Sequence, residues 1–263
     1  MSEVFLFSVL LGVISGLLSG LFGLGGGVII VPALAWLFSY QQVPNELIMI
    51  MAVATSLATI IFTSTSSIIA HHKFKSILWN RVFRLSPGIV FGAGIGATIA
   101  QAIDADALRW FFVSYLFYVG IRMALPSNAK NKTRKNYPRL DYLAGNGIGF
   151  LSSILGIGGG TLTVPYLISR QLAMKNAVAI SSACGLPIAI SGTVVYAWLG
   201  WGKIFLPEWS LGYIYLPAMG GVIVSSVLTA PIGATWANIL PAKKLKRFFS
   251  VVIFLLAFKM IFI

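Results

Sequence analysis

The chain has 263 residues, is 58% hydrophobic and only 10% charged, and carries a formal net charge of +13. A soluble domain holds about a quarter charged residues, so this composition excludes an ordinary water-exposed globule. The charge distribution argues against nucleic-acid binding: the lysines and arginines fall in short gaps between apolar stretches, where the positive-inside rule places them.

Taken in chain order, apolar segments fall at about 4–22, 28–40, 46–70, 85–103 and 107–125, then at about 142–155, 161–169, 176–198, 211–239 and 245–263. Hydrophobic stretches long enough to span a bilayer as helices recur among them. A transmembrane β-barrel would alternate polar and apolar residues, and this chain does not. Segment 4–22 lacks a basic stretch before it and a small-residue cleavage site, so it reads as a retained helix and not a signal peptide. Between the two groups lies PSNAKNKTRKNYPRLD, residues 126–141, polar, basic and bracketed by prolines. It reads as a cytoplasmic linker between two membrane regions, 1–125 and 142–263. The expected fold class is an all-α polytopic membrane protein. The single cysteine, Cys184, lies in an apolar segment and reads as a small buried hydrophobe.

The two regions repeat. GLFGLGGGVIIVPAL at 20–34 returns as SILGIGGGTLTVPYL at 153–167, a spacing of 133 residues. AVATS at 52–56 returns as AVAIS at 177–181, IGATIAQAI at 95–103 as IGATWANIL at 232–240, and LRWFF at 108–112 as LKRFF at 245–249. The matches keep their order, the mark of an internal duplication. Orientation follows from charge. Lys73, Lys75, Arg81, Arg84, the linker cations, Arg170, Lys175 and the basic run Lys243 to Arg247 are all cytoplasmic at once if both termini lie outside. The loop QQVPNE at 41–46 is then outside, while its counterpart RQLAMK at 170–175 is inside. Each half crosses the membrane an odd number of times, so the two repeats are inverted, as in secondary transporters.

Segments 28–40 and 161–169 are too short to cross. Thirteen helical residues reach roughly 20 Å against a hydrocarbon core of about 30 Å. Each glycine cluster is therefore expected to turn the chain inside the membrane. Irregular backbone is tolerated at that depth only where it is buried in protein or lines a polar cavity. Free N–H groups in such a turn, beside a helix N-terminus, form a concavity that attracts anions. Gly23, Gly25, Gly26, Gly27, Gly156, Gly158, Gly159 and Gly160 are thus candidate substrate-binding residues. Gly16 and Gly20 instead fit the small-residue spacing of helix packing. No Gly-Lys-Ser/Thr follows either cluster, so neither is a phosphate loop.

Polar residues at matching positions complete the candidate set: Thr55 and Ser56 with Ser181 and Ser182, and Gln101 with Asn238. Such hydroxyls either donate to an anion or bond back to their own helix. The amides either serve the site or bond between helices. His71 and His72 end a long apolar segment beside Lys73, and read as interfacial side chains or as a proton-coupling pair. Trp198, Trp201 and Trp209 flank a loop placed outside and read as interfacial anchors. The sequence carries no nucleophile–base set, metal cluster or cofactor motif, so no enzyme, metal or cofactor is expected.

The doubled motif, GLGGGVIIVP with AVATS and GIGGGTLTVP with AVAIS, resembles the TauE/SafE sulfite-exporter family of membrane permeases. The resemblance covers nearly the whole chain, both halves in order. It implies a multi-helix inner-membrane protein that moves small sulfur-containing anions such as sulfite, thiosulfate or organosulfonates. Ile180 stands where the first half has Thr55, so the two half-sites are not chemically identical. The expected function is a secondary transporter for such an anion, working by alternating access between two inverted repeats with Gly-rich intramembrane turns. Its partners are the anion and membrane lipid, and oligomeric state is left open. An anion channel, or a non-catalytic subunit of a membrane complex, is the competing reading.

Overall fold

The computed structural model describes residues 2–23, 25–124, 138–203, 205–239 and 242–262. Their regular structure is ten helices and one small hairpin. The first half holds α1 (Ser2–Phe22), α2 (Gly27–Tyr40), α3 (Asn45–Lys73), α4 (Trp79–Ala102) and α5 (Ala105–Ala124). The second holds α6 (Pro138–Leu155), α7 (Gly160–Ser169), α8 (Met174–Leu199), α9 (Leu216–Ile239) and α10 (Ala242–Ile261). Between α8 and α9, β1 (Ser210–Leu211) pairs antiparallel with β2 (Ile214–Tyr215). Each apolar segment read from the sequence becomes one helix.

Boundaries shift at three of them. α4 begins at Trp79 rather than 85, because Arg81 is packed into the fold by an ion pair to α6. α9 begins at Leu216, since 210–215 are spent on the hairpin. α6 begins with Pro138 in the first helical position, which suits a residue without an N–H. Residues 138–141 of the expected linker are therefore helical, and 126–137 lie outside the described residues.

Five helices, α1, α3, α4, α8 and α9, are long and apolar enough to cross a membrane. Large apolar side chains such as Leu6, Phe83, Phe91, Leu228, Leu255 and Phe258 stand exposed around the outside. In water such a surface would aggregate; against lipid it is the ordinary boundary of a multi-pass membrane protein.

α3 and α8 form the centre and pack on each other. Around them the contacts are exchanged between halves. α1 packs along α9 while α6 packs along α4; α3 meets α9 while α8 meets α4. Lipid tails give helices no hydrophobic reason to associate, so close packing must hold them. Small residues supply it. A Cβ on Gly16 would stand 2.7 Å from the Ser226 Cα, and one on Gly92 2.8 Å from the Asn146 carbonyl carbon. Gly12, Gly16 and Gly20 on α1, like Gly88, Gly92 and Gly96 on α4, form a row at every fourth residue on one helix face. Gly16 and Gly20 are thus at helix contacts, as their spacing predicts.

The halves differ by whole helical turns. α2 has 14 residues and α7 has 10. AVATS begins seven residues into α3, AVAIS three into α8. Each difference is four residues, about one turn, so the hairpin shortens without rotating its buried faces. Both hairpins close alike. Gln42 (φ 57°) and Gln171 (φ 65°) take the left-handed conformation. Val43 N–H then reaches the Phe38 carbonyl at 3.1 Å, and Leu172 N–H the Leu167 carbonyl at 3.2 Å, the six-residue bond of a Schellman cap.

Candidate substrate site at the paired glycine turns

The two glycine clusters have matching backbones. Gly23 and Gly156 each have φ 66°, and Gly26 and Gly159, which precede α2 and α7, have φ 78° and 75°. An L side chain pays a steric penalty there that glycine does not. Gly25 is also left-handed at φ 68°, while its partner Gly158 is not among the positive-φ glycines. The turns lie side by side in the protein interior. A Cβ on Gly25 would sit 2.9 Å from the Gly158 Cα, and one on Gly27 2.8 Å from the Ile157 Cα.

Each turn also rests on the other half's central helix. A Cβ on Gly156 would meet the Val53 Cα at 2.9 Å, and one on Gly23 the carbonyl of Val178, the residue matching Val53, at 2.6 Å. Hydrogen bonds repeat the exchange. Ser56 on α3 donates to the Gly156 carbonyl at 2.7 Å, and Ser181 on α8 donates to the Gly23 carbonyl at 3.0 Å. A second pair follows at the ends of α1 and α6. His71 Nε2 donates to the Gly20 carbonyl at 3.3 Å, and Tyr196, at the matching position, donates to the Ser153 carbonyl at 3.0 Å. The turns are therefore clamped by four side chains, one from each central helix on each turn.

The clamps engage carbonyls and leave N–H groups over. The first bonds of α2 run from Ile29 and Ile30 back to the Gly26 carbonyl, at 3.0 and 3.1 Å. Those of α7 run from Leu162 and Thr163 to the Gly159 carbonyl, at 3.0 and 2.7 Å. Gly27, Val28, Gly160 and Thr161 thus start their helices with N–H groups outside the ladder. Around the second turn, hydroxyls are also unmatched. Ser64, Ser152 and Thr163 are at most 1% exposed, and their oxygens have no hydrogen-bond partner among the described residues. Thr163 Oγ1 lies 3.3 Å from where a Cβ on Gly159 would stand. Ser64 Oγ lies 2.8 Å from the corresponding point on Gly185, which is itself 3.2 Å from the Gly158 carbonyl.

A polar seam leads past this point. Thr55, Thr59, Thr63, Ser67 and His71 recur at every fourth residue of α3, all buried. Thr55 accepts the Tyr215 N–H at 3.0 Å, Thr59 donates to the Ser56 carbonyl at 2.7 Å, Thr63 meets Ser226 at 2.9 Å, and Ser67 donates to Ser182 at 3.2 Å. The matching positions of α8 are Ile180, Cys184, Ile188, Gly192 and Tyr196, so the seam belongs to one half only. Thr59, Thr63, Ser64, Ser67, Ser152, Thr163 and Ser226 were not singled out from sequence. The four-residue spacing on α3 is the signal that finds five members of the seam.

The remaining candidates lie elsewhere. Gln101, in the last turn of α4, donates to the Tyr213 hydroxyl at 3.3 Å and so supports the β1–β2 hairpin. That hairpin buries Tyr213, Ile214 and Tyr215 and reaches α3 at Thr55, next to Ser56. The Asn238 side chain lies outside the described residues. The two histidines part company: His71 is buried against Gly20 with Nδ1 unpartnered among the described residues, while His72 is exposed, edge-on to Trp79. At the opposite end of the fold from the hairpin, Asp141 of α6 is nearly fully buried. It accepts from Arg81 of α4 at 2.9 Å and from the Tyr166 hydroxyl of α7 at 2.6 Å. Cys184 is buried and free. Among the described residues no group of three or more His, Cys, Asp and Glu is placed to hold a metal ion.

The model of the family described as "Sulfite exporter TauE/SafE" matches residues 8–260. A probable membrane transporter protein of Haemophilus influenzae is 37% identical over 97% of both chains. One from Methanocaldococcus jannaschii is 31% identical over 85% of this chain and 80% of its own. The probable membrane transporter protein YunE of Bacillus subtilis is 31% identical over 72% of this chain and 77% of its own. No solved structure matches the chain.

Proposed function

The chain belongs to the TauE/SafE sulfite exporter family and is a multi-pass membrane transporter, and from that premise we propose that it carries a small sulfur-containing anion (sulfite, thiosulfate or an organosulfonate) across the inner, plasma membrane by alternating access. The observation that carries this reading is the character of the buried groups at the paired turns, N–H groups outside the helix ladders and hydroxyls with no side-chain or backbone partner among the described residues. The N–H groups lie at two helix starts and the hydroxyls near the second of them. N–H groups and hydroxyls can all donate, and an oxyanion is the ligand that accepts several such bonds at once. The family's name supports sulfur chemistry for the cargo.

The exchanged contacts support inverted repeats. When an element of one half meets a different element of the other, and the reverse pair also forms, the two surfaces are related by a two-fold axis. α2 and α7 reach roughly 21 and 15 Å, short of the hydrocarbon core, so α1–α2 and α6–α7 return to the side they entered from. Three crossings per half remain, and an odd number inverts the second half. Lys73, Lys75, Arg81, Arg84, Arg170 and Lys175 then share the cytoplasmic side, and both termini lie outside. In this orientation the β1–β2 hairpin closes the outer end over Thr55, and the Arg81–Asp141–Tyr166 cluster closes the cytoplasmic end. Both join opposite halves, as gates between rocking repeats must.

The test is anion flux in proteoliposomes, paired with stability. Removing a buried hydroxyl that has no partner is neutral or stabilising for the fold. Ser64→Ala and Thr163→Val should therefore melt no lower than the parent while saturable sulfite, thiosulfate or methanesulfonate flux falls at least tenfold. No flux of any of these anions from the parent chain would overturn the cargo. Full flux in both variants would remove the turns from the site.

A further inference from the structure

On the face that carries the α2–α3 and α4–α5 connections, a groove of about 330 Å³ opens between α1, α2 and α10. Its walls are apolar: Leu10 and Ile14 from α1, Ile29 and Ala33 from α2, Val252 and Leu256 from α10. From Trp36 to Ile29, and from Phe7 to Ile14, it follows the helices for seven residues, roughly 10 Å. The groove therefore runs from the rim of the protein toward mid-membrane, parallel to a lipid tail. At the rim stands one cation. Lys259 Nζ sits 4.0 Å over the ring of Trp36, which also packs against Phe7 and Tyr40. Among the described residues Lys259 has no carboxylate within ion-pair distance.

The other half shows that the opening is a feature of these residues and not of the scaffold. Ala33 and Val252 occupy the positions that Tyr166 and Tyr115 hold in the matching half. There Tyr115 hydrogen-bonds Thr161 across the corresponding gap between α5 and α7, and Tyr166 fills toward Asp141. Two small side chains in place of two tyrosines leave the first-half groove open.

We propose that this groove is a binding site for one anionic phospholipid, with an acyl chain between α1, α2 and α10 and its phosphate on Lys259. The apolar walls suit an acyl chain and offer nothing to a polar ligand. The cation at the mouth sets the head-group sign. An aromatic face would otherwise favour a choline head group, but here Lys259 already covers Trp36 and presents positive charge to whatever binds. A lysine at a membrane surface contributes about 1 kcal/mol toward an anionic lipid, a preference of about fivefold. The site is separate from the glycine turns and stands whichever anion the protein carries.

The experiment is native mass spectrometry of the full chain in detergent, titrated with equal amounts of phosphatidylglycerol and phosphatidylcholine. The parent is expected to retain one phosphatidylglycerol with about fivefold preference. Lys259→Gln should bring the two lipids to near-equal retention. Ala33→Phe should lose the retained lipid of both kinds at an unchanged melting temperature. Equal retention by the parent, persistence of the preference in Lys259→Gln, or full retention by Ala33→Phe would overturn the proposal. So would efficient cross-linking of Leu10→Cys chains to one another, which would place a second copy of the protein over the groove.

Discussion

Gly156→Ala isolates what the turn geometry demands. The residue has φ 66°, where an L side chain costs about 1–2 kcal/mol. Its new Cβ would stand 2.9 Å from the Val53 Cα and 3.1 Å from the Val53 carbonyl oxygen. Both are backbone atoms of the central helix and cannot swing aside, so overpacking adds about 1–3 kcal/mol. The sum, roughly 2–5 kcal/mol, corresponds to a fall in melting temperature of about 7–14 °C near the middle of that range, at roughly 2–4 °C per kcal/mol. Gly147→Ala on α6 is the control. It is helical, and its Cβ would meet nothing within 4 Å. Replacing glycine by alanine there should stabilise by about 0.5–1 kcal/mol. Thermal unfolding of the two variants in one detergent, followed by intrinsic fluorescence, gives the comparison. A Gly156→Ala protein that melts with the parent, or above Gly147→Ala, would refute the claim that the turn requires glycine.

Three further outcomes follow from the same contacts. Arg81→Ala leaves Asp141 buried without its cation and should lower stability by about 3 kcal/mol, most of it regained in the Arg81→Ala/Asp141→Asn double variant; a thermal double-mutant cycle reads the coupling. Ser56→Ala and Ser181→Ala should each cost about 1 kcal/mol and add within about 0.5 kcal/mol, since the two bonds share no residue; strong coupling in the double variant would show one clamp. A cysteine introduced at Ser127 should react with impermeant thiol reagents only from the cytoplasmic side, and labelling from outside would reverse the proposed orientation.

Hydropathy alone located all ten helices, because an apolar run long enough to enter a bilayer has few other fates. The glycine turns were legible because three consecutive glycines break a helix, and their recurrence ruled out accident. What the hydroxyls do was not legible. From the sequence, Ser56 and Ser181 are expected to donate to an anion or to their own helices. The structure gives them to carbonyls of the opposite turn, a partner a hundred or more residues away that no local pattern encodes. Gln101 was grouped with the site because Asn238 matches it, yet its partner, Tyr213, lies on a hairpin inserted in the second half alone. Repeat symmetry in a sequence marks shared ancestry of positions. It does not say which copy kept a role.

That distinction bears on how the proposed carrier works. Features present in both halves, such as the left-handed glycines, the Ser56 and Ser181 clamps and the exchanged helix pairs, position the turns. The differences fall at matching positions around them: Thr59 against Cys184, Thr63 against Ile188, Ser64 against Ala189, Thr163 against Ile30. In each pair the hydroxyl lies on α3 or by the second turn, so the hydroxyls gather on one side of an otherwise paired structure. The two closures differ in kind as well. The hairpin is held to the first half by two neutral bonds, at Thr55 and Gln101, each worth about 1 kcal/mol, whereas parting the opposite end strips Arg81 from the buried Asp141, whose bond to Tyr166 lies within the second half. Under the proposed function, an anion entering at the hairpin end would meet Thr55 first, then the seam, and then the hydroxyls of the second turn that have no partner among the described residues. In the proposed carrier the duplication would provide two matching scaffolds, and direction would enter through the residues at which the copies no longer agree.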